Sequence, residues 1–311
     1  MSRQDAKIFD TTVRRPQVLL MGNGLTYGTG VPWHELIRKV ARPGIDLSEY
    51  EQRGPEGDFI RFHVPNTVLT LATSETDDAA RHKQYGQALA CPSYPPNDAL
   101  KTLLSLPFDA VLTTNYTYEA EAALFPRYPG LTDKSKLNYA WTTDDQGDNK
   151  YLLRTFNRVR AGGPDIWHIH GELRRPSSII LSHDEYARLV HHILAYNESR
   201  GRDYEKFAAE LKFKSWVDYF LMGDVYILGL GMDFSEFDLL WLLGRRRRLR
   251  ERAGCGKLFF YEPETNENHH KQRALRDAGA EVRSCGVRIC GGDDYARFYE
   301  AAILDIQKQV T

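Results

Sequence analysis

The stretch Val18-Leu19-Leu20-Met21-Gly22-Asn23-Gly24-Leu25-Thr26-Tyr27-Gly28 decides the fold class of this chain. Four apolar residues in a row stop at a glycine, and Trp33, Leu36, Ile37 and Val40 then recur at helical spacing up to about Ala41. The pattern is a buried strand, a glycine turn and a helix, which is the opening unit of a sheet covered on both faces. The turn reads G-x-G-x-x-x-G, one residue longer than the usual dinucleotide fingerprint. The acid-ended second strand of that fingerprint, due about 20 residues on, is missing from Arg42-Pro43-Gly44-Ile45-Asp46. Two readings of the glycines stand side by side: backbone N–H groups brought up to a phosphate at a helix N-terminus, and a plain strand-to-helix turn.

The same alternation continues along the chain. Asp109–Thr114 reads as a buried strand centred on Val111 and Leu112, followed by a helix start at Tyr118–Leu124. Ile166–Ile169 and Ile179–Leu181 read as short strands around a turn. Asp224–Gly229 is a strongly apolar strand that runs into Gly229-Leu230-Gly231 and then a helix from Glu236 to about Arg252. Strand Leu258–Tyr261, helix Asn266–Ala278, strand Glu281–Ser284 and helix Asp294–Lys308 complete the pattern. The prediction is an α/β, Rossmann-like, mainly parallel sheet with helices on both faces, formed by residues 1–311 as one domain. Two stretches that do not alternate, about 43–107 and 183–222, read as helical or irregular additions, the second as two helices broken at Asn197–Asp203. Residues Thr143 to Pro164, rich in Asp, Gly, Asn and Arg, read as an exposed excursion.

Composition excludes several classes. Lys and Arg number 41 against 42 Asp and Glu, so no basic surplus marks nucleic acid as the ligand. No apolar run reaches the ~20 residues that span a bilayer, and the polar start of the chain lacks the apolar centre of a secretion signal; a cytoplasmic protein is expected. The four cysteines, Cys91, Cys255, Cys285 and Cys290, form no C-x-x-C pair and no cluster with His at metal spacing, so no metal is expected.

Side chains able to do chemistry gather at strand ends. Thr113-Thr114-Asn115-Tyr116 lies at the C-terminal end of a buried strand, where open α/β sheets bind ligands. A neutral amide there can hold a ribose hydroxyl or a water without fixing charge. His168-Ile169-His170-Gly171 ends another strand, where alternation sends both imidazoles to one face, and an imidazole can take a proton from a hydroxyl at neutral pH. Glu262, at the end of Leu258–Tyr261, is placed to accept from ribose hydroxyls or to serve a turn. Ser182-His183-Asp184 are neighbours in sequence and cannot converge as a triad.

The order of these motifs (glycine turn, T-T-N, H-G, then G-x-G) resembles the sirtuin-like family, and most closely its bacterial branch of NAD-hydrolysing domains found in anti-phage defence. Ser182 to Tyr186 matches the Ser-x-x-x-Tyr segment after the H-G turn of that branch, and Phe234 to Leu242 the run after its G-x-G. The resemblance implies NAD as substrate, cleaved to nicotinamide and ADP-ribose. It places Gly22, Gly24 and Leu25 along the phosphates and ribose. It makes Asn115 the residue that positions the attacking water or a ribose hydroxyl and His170 the base, with Gly229 and Gly231 toward the adenosine half. Asn23, Thr114 and Glu262, which stand beside these positions or at a strand end, are expected as further cofactor contacts. Two departures stand out. Sirtuins carry Asp two residues after the motif Asn, where this chain has Thr117 with Glu119 nearby, and the four-cysteine zinc module of the deacylases is missing. NAD hydrolysis is therefore expected before a non-cleaving NAD or ADP-ribose sensor, and protein deacylation last. The resemblance also implies control from outside the core, by a homo-oligomer or a separately encoded partner such as a HerA-type ATPase. The additions and the run Arg245–Arg248 are the expected contact surfaces, although a solvated helix end explains the arginines equally simply.

Overall fold

The structure, a computed structural model, describes residues 14–26, 33–53, 60–62, 65–73, 77–90, 95–125, 139–141, 151–159, 162–200, 213–232, 234–264, 269–290 and 293–310. Among them, β1 (Gln17–Met21) is followed by α1 (Trp33–Val40), the small pair β2 (Glu51–Arg53) and β3 (Ile60–Phe62), α2 (Pro65–Ala72), α3 (Asp78–Leu89) and α4 (Asp98–Leu104). Then come β4 (Ala110–Thr113), α5 (Glu119–Leu124), β5 (Tyr139–Trp141), β6 (Thr155–Asn157), β7 (Asp165–His168), α6 (His183–Arg200) and α7 (Trp216–Met222). The chain ends with β8 (Asp224–Leu228), α8 (Phe237–Ala253), β9 (Leu258–Tyr261), α9 (His269–Asp277), β10 (Glu281–Arg283) and α10 (Asp293–Val310).

The main sheet has the order β10-β9-β8-β1-β4-β7-β6-β5. The six strands from β10 to β7 run parallel, and β6 and β5 extend the sheet antiparallel. From β1 the chain builds one flank with β4 and β7 and the other with β8, β9 and β10. The order therefore reverses between β1 and β8, and ligands of open α/β sheets bind outside the strand ends at such a reversal. The α/β, mainly parallel architecture read from the sequence is the one found.

Both faces of the sheet are covered, as continuous apolar strands require. Val18, Leu20, Leu112, Val225, Ile227 and Phe260 pack on one face with residues of α6, α7 and α8. Leu19, Met21, Val111, Tyr226 and Phe259 pack on the other with residues of α4 and α10. A third cluster joins α1, α2 and α3, through Ile37, Leu69 and Tyr85, to Leu173, Ile179 and Leu181 beyond β7. The first addition is thus packed over the segment between β7 and α6, and it includes the β2–β3 pair that its polar sequence hides.

Several local expectations change. Ile179–Leu181 is not a strand; a short 3-10 turn (Pro176–Ser178) precedes it and only Ile180 N–H reaches back, to the His170 carbonyl at 2.9 Å. The excursion from 143 to 164 contains β6, whose three residues are all buried. Asn197–Arg200 continues α6 rather than breaking it, and the rest of the expected break lies outside the described residues, as does Cys91. Cys285 sits in the turn after β10, at φ 55°.

One arginine of the run is spent inside the molecule, while Arg247 and Arg248 are exposed. Arg246 is buried, and its guanidinium donates to the carbonyls of Phe220, Gly223 (2.7 Å), Gly256 (2.8 Å) and Lys257 (2.9 Å). It closes the C-terminal end of α7 and the entry to β9, where carbonyls would otherwise be orphaned. Arg247 donates to the Asp277 carbonyl and Arg250 to that of Gly279, at 3.4 Å. Replacing Arg246 by Ala leaves buried carbonyls unpaired and should cost on the order of 3 kcal/mol. Urea unfolding should show the midpoint lowered at constant slope, with no recovery in Arg246→Lys, whose single ammonium lacks the planar fork.

Candidate active site

The two glycine motifs, far apart in sequence, meet at the reversal of strand order. Gly22 N–H donates to the Leu228 carbonyl (3.2 Å) and Gly24 N–H to the Gly229 carbonyl (2.8 Å). A side chain on Gly24 would begin 2.6 Å from the Tyr299 hydroxyl and 2.8 Å from the Gly229 oxygen. Gly229 has φ 72° and lies with its own missing Cβ 2.7 Å from Leu25 N. The glycines are needed first for this internal contact. Leu25 is buried and its carbonyl accepts from Asn97 Nδ2 at 2.6 Å, whereas the Asn23 side chain is turned to Thr26, whose hydroxyl donates to its Oδ1 at 2.7 Å.

The register of β4 on β7 brings the other two motifs to the same edge. Thr113 pairs with His168, so Asn115 and His170 each stand two residues past the matched pair. Thr114 N–H donates to the Met21 carbonyl (3.2 Å), tying this strand end to β1. The Asn115 amide reaches Thr26 Oγ1 at 3.4 Å, next to the glycine turn. Thr117, which stands where sirtuins have Asp, holds an acid of its own: its hydroxyl lies 2.7 and 2.6 Å from the two oxygens of buried Glu119. Burial pushes the Glu119 carboxyl above the usual range against those hydrogen bonds.

His170 is where the chain turns. Gly171, at φ 95°, admits no side chain, because a Cβ would lie 2.1 Å from the Ser178 carbonyl oxygen. The turn separates the two imidazoles, contrary to the shared face expected from alternation: His168 faces α5 and His170 faces α8. His170 Nε2 is 3.0 Å from Asp238 Oδ2, and Nδ1 is 3.3 Å from the Tyr186 hydroxyl. Asp238 is fully buried and, among the described residues, its Oδ1 has no hydrogen-bond partner. Glu236 adds a second carboxylate, and one atom from each of His170, Glu236 and Asp238 lies within 4.8 Å of the others. Burial pulls the His170 pKa down, but the Asp238 charge and hydrogen bond, with Glu236 beside them, hold it above the ordinary imidazole value.

On the far side of β8, Glu262 stands at the end of β9 as expected. Its carboxylate is engaged by the Lys271 ammonium and, at 3.4 Å, by Gln272 Nε2. Lys271 also donates to the Gly231 carbonyl at 2.7 Å, so Gly231 and Glu262 are linked through one cation. Sequence reading passed over Asp238 and Glu236. Their signal was present in the run Phe234 to Leu242, as two acids at the start of the helix after G-x-G.

A sequence model of the SIR2-like domain matches residues 109–283, more than half of the chain and from β4 through β10. The chain belongs to the SIR2-like family, whose domains use NAD. No match was found among curated proteins. Among the described residues no helix is long and apolar enough to cross a membrane.

The tight Gly24–Gly229 contact recasts what a bulky residue at Gly24 does. Gly24→Ala should lower the melting temperature and the affinity for NAD together, since it forces apart β1 and β8 at their ends. Lost affinity with an unchanged melting temperature would show instead that Gly24 faces the ligand alone.

Proposed function

We propose that this protein is an NAD glycohydrolase that cleaves NAD to nicotinamide and ADP-ribose and acts as an effector of bacterial anti-phage defence. The observation that carries the reading is the convergence, on one edge of the sheet, of a neutral amide at Asn115 and an imidazole at His170 backed by two carboxylates.

In this reaction the bond between nicotinamide nitrogen and ribose C1′ breaks. Its electron pair leaves with the nitrogen, and positive charge develops on the ribose. The carboxylates of Asp238 and Glu236 supply the negative field that such a cation needs, in a site where burial strengthens it. Asp238 accepts the Nε2 proton of His170, which leaves the lone pair on Nδ1. Among the described residues only the long Tyr186 contact occupies that nitrogen, so Nδ1 is the atom that takes a proton from a ribose hydroxyl. The Asn115 amide orients the water that adds to C1′. Thr117 raises the second reading, a sensor that holds NAD without cleaving it; the Glu119 carboxyl at the Thr117 hydroxyl supports hydrolysis by restoring an acid there.

Asn115→Ala and His170→Ala should each lower the rate of nicotinamide release by ~10²–10⁴ with the fold intact. Because His170 must be neutral to act as base, and its pKa is raised, the wild-type rate should climb with pH through a value above the ordinary ~6.5. Asp238→Asn removes the charge that raises it, so the acid limb should move to lower pH while kcat falls. An acid limb that stays in place in Asp238→Asn, or full activity in His170→Ala, contradicts the assignment.

An enzyme that drains NAD must stay silent until triggered. Control in this reading comes from self-association or from a partner such as a HerA-type ATPase. The first addition is a wall over the site's own turn rather than a free flank: Thr67 Oγ1 lies 2.6 Å from His183 Nε2, and Asp78 pairs with Arg188 at 3.1 Å. Whatever engages α2 and α3 therefore acts on the start of α6, which carries Tyr186 to His170. A dilution series with light scattering should show specific activity that depends on concentration or on an added partner. A fully active monomer at every concentration contradicts this.

A further inference from the structure

His168 is absent from the chemistry above, yet both of its ring nitrogens are engaged. Its Nδ1 lies 2.7 Å from the main-chain oxygen of Asn115, and its Nε2 lies 2.9 Å from Glu121 Oε1. Both neighbours are acceptors, so both ring nitrogens must donate, and a ring that donates twice is an imidazolium. A neutral ring would need the missing proton on Glu121 Oε1, an oxygen that already accepts from Asn157 Nδ2 at 2.8 Å.

Every element around the ring contributes to this balance. From α5 come Glu121, fully buried, and Glu119; from the segment before it comes Tyr118, edge-on at 5.3 Å. From the turn after β7 comes buried Glu172, which holds Asn157 Nδ2 (3.2 Å) and the Tyr118 hydroxyl (3.3 Å) and pairs with Arg175 at 3.5 Å. Arg174 lies over the Tyr118 ring at 4.7 Å. Burial opposes charge on His168, but Glu121 and then Glu172 outweigh it and hold the pKa up at about 9, while the Glu121 carboxyl, despite its own burial, is drawn below its usual range. The ring is 3% exposed and both nitrogens are occupied, so it is sealed from any substrate.

What the ring does reach is the backbone of Asn115. The N–H of that residue is held by Thr113 Oγ1 (3.1 Å) and its carbonyl by His168, which leaves only the side-chain amide loosely engaged. We propose that His168 is a positioning residue: its imidazolium, anchored from behind by Glu121, grips the main-chain carbonyl of Asn115 and so fixes the direction of the Asn115 amide. This rests on the reading of Asn115 as the residue that orients the water.

Three variants separate positioning from packing. In His168→Asn the amide nitrogen falls where Nδ1 stood and keeps the Asn115 carbonyl; in His168→Gln it falls near Nε2 and keeps Glu121 only. In Glu121→Gln a neutral ring still donates from Nδ1. The expected result is a kcat within about tenfold of wild type for His168→Asn and Glu121→Gln, and a loss of ~10²-fold for His168→Gln, with KM nearly unchanged throughout. The NMR nitrogen shifts of the His168 ring should be those of an imidazolium at pH 7 in wild type and of a neutral ring in Glu121→Gln. Equal losses in the Asn and Gln variants, or losses that follow their melting temperatures, would overturn the proposal, as would a neutral wild-type ring at pH 7. A wild type that releases no nicotinamide would overturn the reading of the reaction instead; the same order of variants would then be read in ADP-ribose binding by calorimetry, and the NMR result would stand unaffected.

Discussion

The contact of Gly22 and Gly24 with Gly229 is the constraint on which the site depends. Two parallel strands, β1 and β8, must end side by side so that their exits pass within hydrogen-bonding distance, and a Cβ on any of the three residues would push them apart. The strand order reverses at this point, and the reversal opens the crevice in which an α/β sheet takes a ligand. The glycines therefore do two things through one geometry. They close the sheet at its centre, and they leave backbone rather than side chains at the mouth of the crevice.

Around that mouth the chain distributes charge unevenly and under cover. His170 shares its neighbourhood with Asp238 and Glu236, and His168 shares its own with Glu121 and Glu172. Buried carboxylates are costly unless they are paired or hydrogen-bonded. At His168 the carboxylate of Glu121 is offset by the imidazolium and by the Asn157 amide. Among the described residues Glu121 Oε2 and Asp238 Oδ1 both lack a hydrogen-bond partner, so the two pairs differ in what their rings reach: His168 Nδ1 grips the Asn115 carbonyl, whereas His170 Nδ1 faces the Tyr186 hydroxyl. Two imidazoles two residues apart thus have different uses because the strand ends at His168 and the chain turns from there to Gly171, whose N–H closes on the His168 carbonyl.

The parallel sheet was legible in the sequence because its strands are buried on both faces and read as unbroken apolar runs: Val18–Met21, Val111–Leu112 and Val225–Leu228. The site motifs were legible because they sit at the ends of those runs. β2, β3 and β6 were not, since E-Q-R, I-R-F and T-F-N form no apolar run and stand in polar surroundings. Asp238 and Glu236 were hidden for another reason. Their importance lies in a partner 68 residues away from Asp238, and only the sheet order puts α8 beside the turn at His170. Arg246 looked like one of a solvated run because spacing along a helix does not reveal which arginine meets the orphaned carbonyls of a neighbouring helix. His168 was read with His170 because alternation was carried two residues past the point where β7 stops.

The central claim is that this edge of the sheet breaks the nicotinamide–ribose bond with water as acceptor. The most direct measurement is a product balance on purified protein with NAD as the sole added substrate, in the absence of any acylated peptide. The account predicts nicotinamide and ADP-ribose formed one for one, to exhaustion of the NAD. NAD that binds and is recovered intact, or nicotinamide that appears only once an acyl-lysine peptide is supplied, would contradict it.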